Sequence, residues 1–204
     1  MTTESDARHW DDVYDRVGAD RVSWYQTGAA VSAGFIAAAG LVRSVVDIGG
    51  GASVLVDELL DSGVEDVTVL DLSARALDVA RQRIGSRGDA VRWVNQDVRS
   101  WQPARRFDVW HDRAVFHFLT EPADRDAYRS VLREALEPHG HVVIGTFAAD
   151  GPTHCSGLPV ARYAPAELAA QFPGMRTVEE RRVEHRTPGG VTQPFTWLLL
   201  ASED

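Results

Sequence analysis

Four aspartates in this sequence stand at or just past the ends of short apolar runs, and three glycines follow the first of them. Asp47 lies in SVVDIGGGAS, Asp71 closes VTVLD, Asp97 follows VRWVNQ, and Asp112 follows FDVWH beside His111. A carboxylate accepts hydrogen bonds from sugar hydroxyls and amines, and it attracts a positive centre. Gly49, Gly50 and Gly51 let the main chain turn sharply and let a ligand approach it closely. Together these residues suit a ligand with a ribose, an adenine and a cationic centre. The same rim would repel a pyrophosphate or triphosphate. No phosphate-cradling loop ending in Gly-Lys is present, and the chain has no lysine.

These residues need a scaffold that brings strand ends together. Val45, Val46 and Ile48 have the composition of a strand, about 44–48, buried on both faces. The spacing of Val54, Leu55, Leu59 and Leu60 predicts a helix over about 52–62, so the first unit is strand, glycine turn, helix. The helix start offers unpaired N–H groups and a partial positive charge. Gly49 and Gly51 match the first two positions of the dinucleotide fingerprint, but Val54 stands at the third. Further strands are expected at about 67–71, 91–96, 107–111 and 140–147, with helices at about 73–84 and 123–137. Residues 5–18 read as a helix capped by Ser5 or Asp6 and stopped by Gly18. Residues 28–40 read as an alanine-rich helix between Thr27 and Gly40. The tail reads as a Gly/Pro loop over about 148–164, a short helix over about 165–171, and a hairpin joined by PGGVTQP. This alternation predicts an α/β fold: a Rossmann-like, doubly wound, seven-stranded, mostly parallel sheet with an antiparallel C-terminal strand and helices on both faces. In such a sheet the ligand lies beyond the carboxyl ends of the strands, where the acids converge.

The 204 residues are expected to form one domain: an N-terminal helical cap over 1–40, a cofactor-binding core over 41–147, and an acceptor-side loop with the C-terminal hairpin over 148–204. A formal charge of −9 argues against a nucleic-acid or anionic-membrane partner. No apolar run reaches the length of a membrane span. The start MTTESDARHWDD lacks a signal pattern, and the single cysteine, Cys155, has no partner for an internal disulfide, so a cytoplasmic protein is expected, as a monomer or homodimer.

The sequence resembles the class I S-adenosylmethionine-dependent methyltransferases, and in particular small bacterial single-domain members. The resemblance rests on VVDIGGGAS, on Asp71 after the second strand, on Asp97 in NQDV, on FDVWHDRAVFHFL, and on the turn Glu137-Pro138-His139-Gly140, whose third residue is usually glycine in the family. It covers roughly residues 8–201. It implies S-adenosyl-L-methionine as cofactor, S-adenosyl-L-homocysteine as product, and a cofactor site of Tyr25, Asp47, Gly49, Gly50, Gly51, Asp71, Leu72, Asp97, Val98, His111 and Asp112. On this resemblance Asp71 takes the ribose hydroxyls, and Asp97 meets the adenine amine with the Val98 N–H nearby. The Gly49–Gly51 backbone passes under the methionine portion, which Asp112 also faces.

Transfer from a sulfonium is one in-line displacement, and positioning supplies most of the rate. A base is needed only when the acceptor arrives protonated. His117, on the loop after the fourth strand, is the candidate base. Cys155 is the second candidate catalytic residue, as a pocket-lining thiol or as a small buried side chain. His111, His117, His154 and Cys155 lack the spacing of a metal site, so no metal is expected. Arg162 could pair with an acceptor carboxylate. Trp24 and Tyr25 read as a lid over the cofactor or as edge packing. A small-molecule acceptor is expected; a protein or peptide methyltransferase and an NAD(P)-dependent Rossmann oxidoreductase are the alternatives.

Overall fold

Val45, Val46, Val67, Val69 and Leu70 are all buried, and the strands that carry them lie inside a seven-stranded sheet. Runs with no polar face to give to water are stable only where both faces are covered. The computed structural model describes residues 3–203. Strands β1 (Ser44–Ile48), β2 (Asp66–Asp71), β3 (Val91–Asn95), β4 (Phe107–Arg113) and β5 (Leu136–Phe147) run parallel. A two-residue pair, β6 (His154–Cys155) and β7 (Leu158–Pro159), stands apart as a small hairpin. Strands β8 (Met175–Arg186) and β9 (Thr192–Ser202) form the terminal hairpin, and β9 pairs antiparallel with β5. The order across the sheet is β3-β2-β1-β4-β5-β9-β8.

Helices α2 (Ala30–Ala38), α3 (Leu55–Asp61) and α4 (Ala74–Ile84) cover one face, where Phe35, Leu55, Leu59 and Leu77 join Val45, Val67, Val69 and Val109 in one apolar cluster. On the other face α5 (Pro122–Ala135) and α6 (Pro165–Ala169) bring Tyr128, Val131, Leu132 and Leu168 against Val46, Ile48, Trp110 and Val142. Successive strand residues alternate between these two layers, as the two-residue period of a strand requires. Helix α1 (Thr3–Val17) lies outside the layers and is tied to α4. Asp11 of α1 accepts hydrogen bonds from the Ser73 hydroxyl (2.6 Å) and the Arg75 N–H (3.1 Å), and Asp15 pairs with Arg75. Ser73 itself caps α4, accepting the Ala76 N–H at 3.0 Å. Among the described residues no helix is long and apolar enough to cross a membrane.

Several boundaries differ from the sequence reading, each for a local reason. Helix α1 starts before Ser5 and Asp6, and Asp6 pairs with Arg99 instead of serving as a cap. Thr27 does not cap α2; Glu58 of α3 accepts the Ala29 N–H from across the interface. Strand β4 continues two residues past His111, because it stays paired with β5 as far as Arg113. The segment directly after it forms a single 3-10 turn over Phe116–Phe118 before α5 begins at Pro122. The Glu137–Gly140 turn is a bulge in β5: the register with β4 moves from Phe107↔Leu136 to Val109↔His141. His139 has φ 64° there, a conformation that favours glycine. Thr192, Gln193 and Pro194, read as turn residues, belong to β9.

Candidate active site

Beyond the ends of β1, β2 and β4 lies a cavity of about 370 Å³. Strand ends supply Gly49, Asp71, Leu72, Asp97, Val98 and Arg113; α1 supplies Asp6, Trp10 and Tyr14; the small hairpin supplies Cys155, Leu158 and Pro159. Gly49 adopts φ +67°, and a Cβ on it would stand 2.1 Å from Val115 Cγ2, so no other residue fits that position. A Cβ at Gly50 would lie 2.4 Å from Asp47 Oδ2, and one at Gly51 2.6 Å from Asp71 Oδ2. The second and third glycines thus hold open the space beside two carboxylates.

Asp71 is partly buried. Its Oδ1 accepts the Ser73 N–H at 2.7 Å, and Oδ2 faces the turn at Gly51. Burial, joined by the charges of Asp47 and Asp11, pushes its carboxyl up to about 7. Asp97 is held differently. Arg99 grips both its oxygens, with Nε at 3.0 Å from each and Nη2 at 2.6 Å from Oδ2. The same guanidinium reaches Asp6 at 3.1 Å and Asp124 at 3.2 Å. The carboxylate expected to meet an adenine amine is therefore engaged by Arg99, which itself lines the cavity.

The alternation along β4 separates three neighbours. His111 and Arg113 point to the α2 side and Asp112 to the α5 side. His111 stands beside Asp47 in the β1–β4 register, and its Nδ1 donates to Asp47 Oδ1 at 2.7 Å. Its Nε2 meets the Ser32 hydroxyl of α2 at 2.9 Å. Asp112 is fully buried and lines none of the cavities described here. Its oxygens accept the N–H groups of Val115 (2.9 Å) and Phe116 (3.1 Å) and the Tyr128 hydroxyl (2.7 Å). It fixes the turn after β4. Burial pushes its carboxyl up to about 6.

In the cavity wall, aromatic rings pack edge to face: Trp10 with Trp24 at 5.7 Å and with Phe118 at 5.1 Å. The Trp24 indole donates to the Tyr14 hydroxyl at 3.1 Å. Trp24 thus belongs to the cavity wall, and Tyr25 lines the adjoining smaller cavity. Ser156 and Gly157 both take positive φ, which closes the β6–β7 hairpin and brings Cys155, Leu158 and Pro159 to the wall. Burial pushes the Cys155 thiol up to about 11, so it is protonated at neutral pH. His117 is fully buried and does not line the cavity. Its ring packs against Phe118 (4.6 Å) and Phe147 (4.7 Å), and neither nitrogen has a partner among the described residues. Burial and the Arg113 charge pull it down to about 3. Arg162 donates to the Gly151 carbonyl at 3.2 Å and lines none of the cavities described here. His185 meets the Ser23 carbonyl at 2.7 Å, and His154 is exposed.

The sequence reading passed over Trp10, Tyr14, Ser32, Arg99 and Arg113. Trp10 and Tyr14 stand four apart on a helix otherwise rich in charge, a pattern that marks one shared face. Arg113 carried no such mark, because its place on the rim depends on where β4 ends.

The residues present fit S-adenosylmethionine. An Asp71 oxygen, able to accept from a sugar hydroxyl, faces the glycine turn, that turn leaves the backbone open, and Asp47 Oδ2 is buried without a partner among the described residues. Residues 45–140 match the family model described as a methyltransferase domain. Among solved structures the chain is similar to one from work on the conversion of a disulfide bond into a thioacetal group during echinomycin biosynthesis (TM-score 0.78, 20% identity, covering 97% of this chain and 93% of that one). It is also similar to the 1,6-didemethyltoxoflavin-N1-methyltransferase of Burkholderia thailandensis (TM-score 0.70, 23% identity, 98% and 85% covered). A third is the N-methyltransferase NodS of Bradyrhizobium japonicum (TM-score 0.69, 18% identity, 86% and 85% covered). A sequence comparison with curated proteins finds no match. Residues 45–140, which build the glycine turn and most of the acidic rim, match a methyltransferase-domain model over just under half of the chain, and the whole chain shares the fold of these solved methyltransferases.

Proposed function

We propose that this protein transfers a methyl group from S-adenosylmethionine to a compact small-molecule acceptor. The observation that carries this reading is the Asp71 carboxylate, with one oxygen fixed by Ser73 and the other facing the glycine turn in the cavity. When bound, the cofactor supplies a methyl group on a sulfonium, open to in-line displacement. Asp71 accepts the ribose hydroxyls. Leu72 and Val98 supply apolar walls for the adenine, and Asp97 serves there by holding the planar Arg99 guanidinium at the same end. Gly49, Gly50 and Gly51 let the methionine portion lie against the main chain, and Tyr25 closes that side. Trp10, Trp24, Phe118, Leu158 and Pro159 exclude water from the reacting end. The solved neighbours support the cofactor: the didemethyltoxoflavin enzyme and NodS hold S-adenosylhomocysteine, and the former also holds its small-molecule acceptor.

Calorimetric titration is expected to show micromolar binding of S-adenosylmethionine and S-adenosylhomocysteine and none of NAD or NADP. Tight NAD binding without a response to either sulfur compound would sink the reading. A methyl-transfer screen over small thiols, amines, acids and phenols then finds the acceptor.

His117 is proposed here as a neutral packing residue behind the cavity wall rather than the base, and Cys155 as a neutral thiol at the acceptor end. His117→Leu is expected to keep turnover within about threefold and to raise the melting temperature, because two unpartnered buried ring nitrogens cost about 1–3 kcal/mol each. Cys155→Ala is expected to change the acceptor KM and leave cofactor affinity alone. A hundredfold loss of turnover in His117→Leu, with normal folding and cofactor binding, would return the base to His117.

A further inference from the structure

A second space, of about 390 Å³, has no part in the function proposed above, yet it is as roomy as the main cavity. It is a groove between the segment at Tyr25–Val31 and the β8–β9 hairpin. Tyr25, Val31, Val183, Phe195 and Trp197 give it apolar, largely aromatic walls. Arg113 lines both this groove and the main cavity, so the two spaces are neighbours. Each has the volume of a site for one small ligand.

The sheet builds the groove. Arg113, Gly145 and Trp197 stand side by side on β4, β5 and β9. A Cβ on Gly145 would lie 2.7 Å from the Trp197 ring, so the missing side chain gives the indole its room over β5. The Arg113 guanidinium lies over the Phe195 ring at 5.4 Å, and the His185 ring meets Phe195 edge to face at 6.1 Å.

The charge at this groove is positive. Arg113 Nη1 donates to the Trp24 carbonyl at 2.9 Å, whereas Nη2 is buried without a partner among the described residues. Burial lowers this guanidinium to about 10, which leaves it charged at neutral pH. Glu184 is paired with Arg182, and Arg186 forms no ion pair among the described residues. His185 donates to the Ser23 carbonyl at 2.7 Å and, held below its usual value by burial, adds no charge at neutral pH. The groove also borders the first turn of α2 through Val31. That helix has no side-chain cap and no acid in its first turn, so its partial positive charge is uncompensated there. An unpaired buried cation is costly, and an anion with an apolar body satisfies both the charge and the walls.

We propose that this groove is a second ligand site, which takes a small aromatic carboxylate. The carboxylate lies on Arg113 Nη2, and the ring lies among Tyr25, Val183, Phe195 and Trp197. Because Arg113 also holds the Trp24 carbonyl, an occupant here bears on the wall of the main cavity.

The test is calorimetry with benzoate, cinnamate and indole-3-carboxylate against the corresponding amides, which keep the ring and lose the charge. The wild type is expected to bind at least one acid with a Kd of about 0.1–5 mM, and about tenfold or more tighter than its amide. Arg113→Met should bring acid and amide within about twofold of each other. Val183→Trp, on the edge strand β8, fills the groove and should weaken the acid by about tenfold or more. Melting curves report whether both variants fold. Saturating adenosine, which occupies the main cavity without the charge of an acid, should leave the acid's affinity in the wild type within about threefold. No binding of any of the three acids below about 10 mM, equal binding of acids and amides, or unchanged affinity in folded Val183→Trp would overturn the proposal. Displacement of the acid by adenosine would overturn it too, by placing the acid in the main cavity.

Discussion

Asp71→Asn is expected to weaken S-adenosylhomocysteine binding by about 2–4 kcal/mol, roughly 30- to 1000-fold in Kd, while stabilising the free protein above neutral pH. Both effects come from one carboxylate. As the acceptor of two ribose hydroxyls it makes charge-assisted hydrogen bonds, and asparagine replaces one acceptor oxygen by a donor. Without ligand, the same charge sits partly buried near Asp47 and Asp11, which raises its carboxyl from 3.8 to about 7. A raised folded-state value means that the folded protein holds the proton more tightly than the unfolded chain. The stability tied to that proton is complete below about pH 4 and is lost as pH rises towards and through about 7. Asparagine, which never ionises and can still accept the Ser73 N–H, escapes that loss. The melting temperatures of wild type and variant should therefore converge at or below about pH 4 and separate progressively up to pH 8, with the variant higher. Binding shows the opposite dependence. Since the carboxylate must be ionised to accept both hydroxyls, wild-type affinity should rise about tenfold from pH 6 to pH 8. The variant should show no such rise from this group. An unchanged affinity in Asp71→Asn would reduce Asp71 to a residue that shapes the β2–α4 loop.

Asp112→Ala is expected to cost about 3–5 kcal/mol of stability, or about 6–20 °C in melting temperature for a chain of this size, with cofactor affinity of the folded fraction preserved. The two effects separate because Asp112 belongs to the packing on the α5 side. Its removal leaves the N–H groups of Val115 and Phe116 and the Tyr128 hydroxyl without their acceptor. The Trp110 indole, which donates to Tyr128 at 2.7 Å, loses the order of its partner. Asp112→Asn should be milder: its carbonyl still serves the two N–H groups, but its amide gives the Tyr128 hydroxyl a second donor in place of an acceptor. Burial raises the wild-type carboxyl to about 6, so its contribution to stability falls as pH rises from about 4 through 6. Thermal unfolding and calorimetry below the melting range check both statements. Normal stability with lost cofactor binding would put Asp112 at the cofactor after all.

The local sequence determined the elements and the end of the sheet where the site lies. The apolar run Val45–Ile48 and the glycines after it specify a strand and a tight turn without help from elsewhere, and the first strand lies at 44–48 as expected. Ser73 caps α4 because a hydroxyl before a helical pattern needs only local geometry. Parallel strands bring their carboxyl ends to one edge, so Asp47, Asp71 and Asp97 were bound to gather there once the alternation of strand and helix was recognised. Tertiary structure decided which of these groups remains free. Asp71 keeps an oxygen facing the glycine turn, whereas Asp97 is gripped by Arg99, itself tied to Asp6 of α1 and Asp124 of α5. His111, Asp112 and Arg113 are consecutive in sequence but serve three different ends. The pleat sends them alternately to two faces, and which face is which follows from the pairing of β4 with β1 and β5. Asp47 and His111 meet because that pairing puts them side by side, and Ser32 reaches them only when α2 packs down. Contacts of this kind join residues far apart in the chain. They depend on strand order, register and helix packing, and no pattern within a short stretch of sequence encodes them.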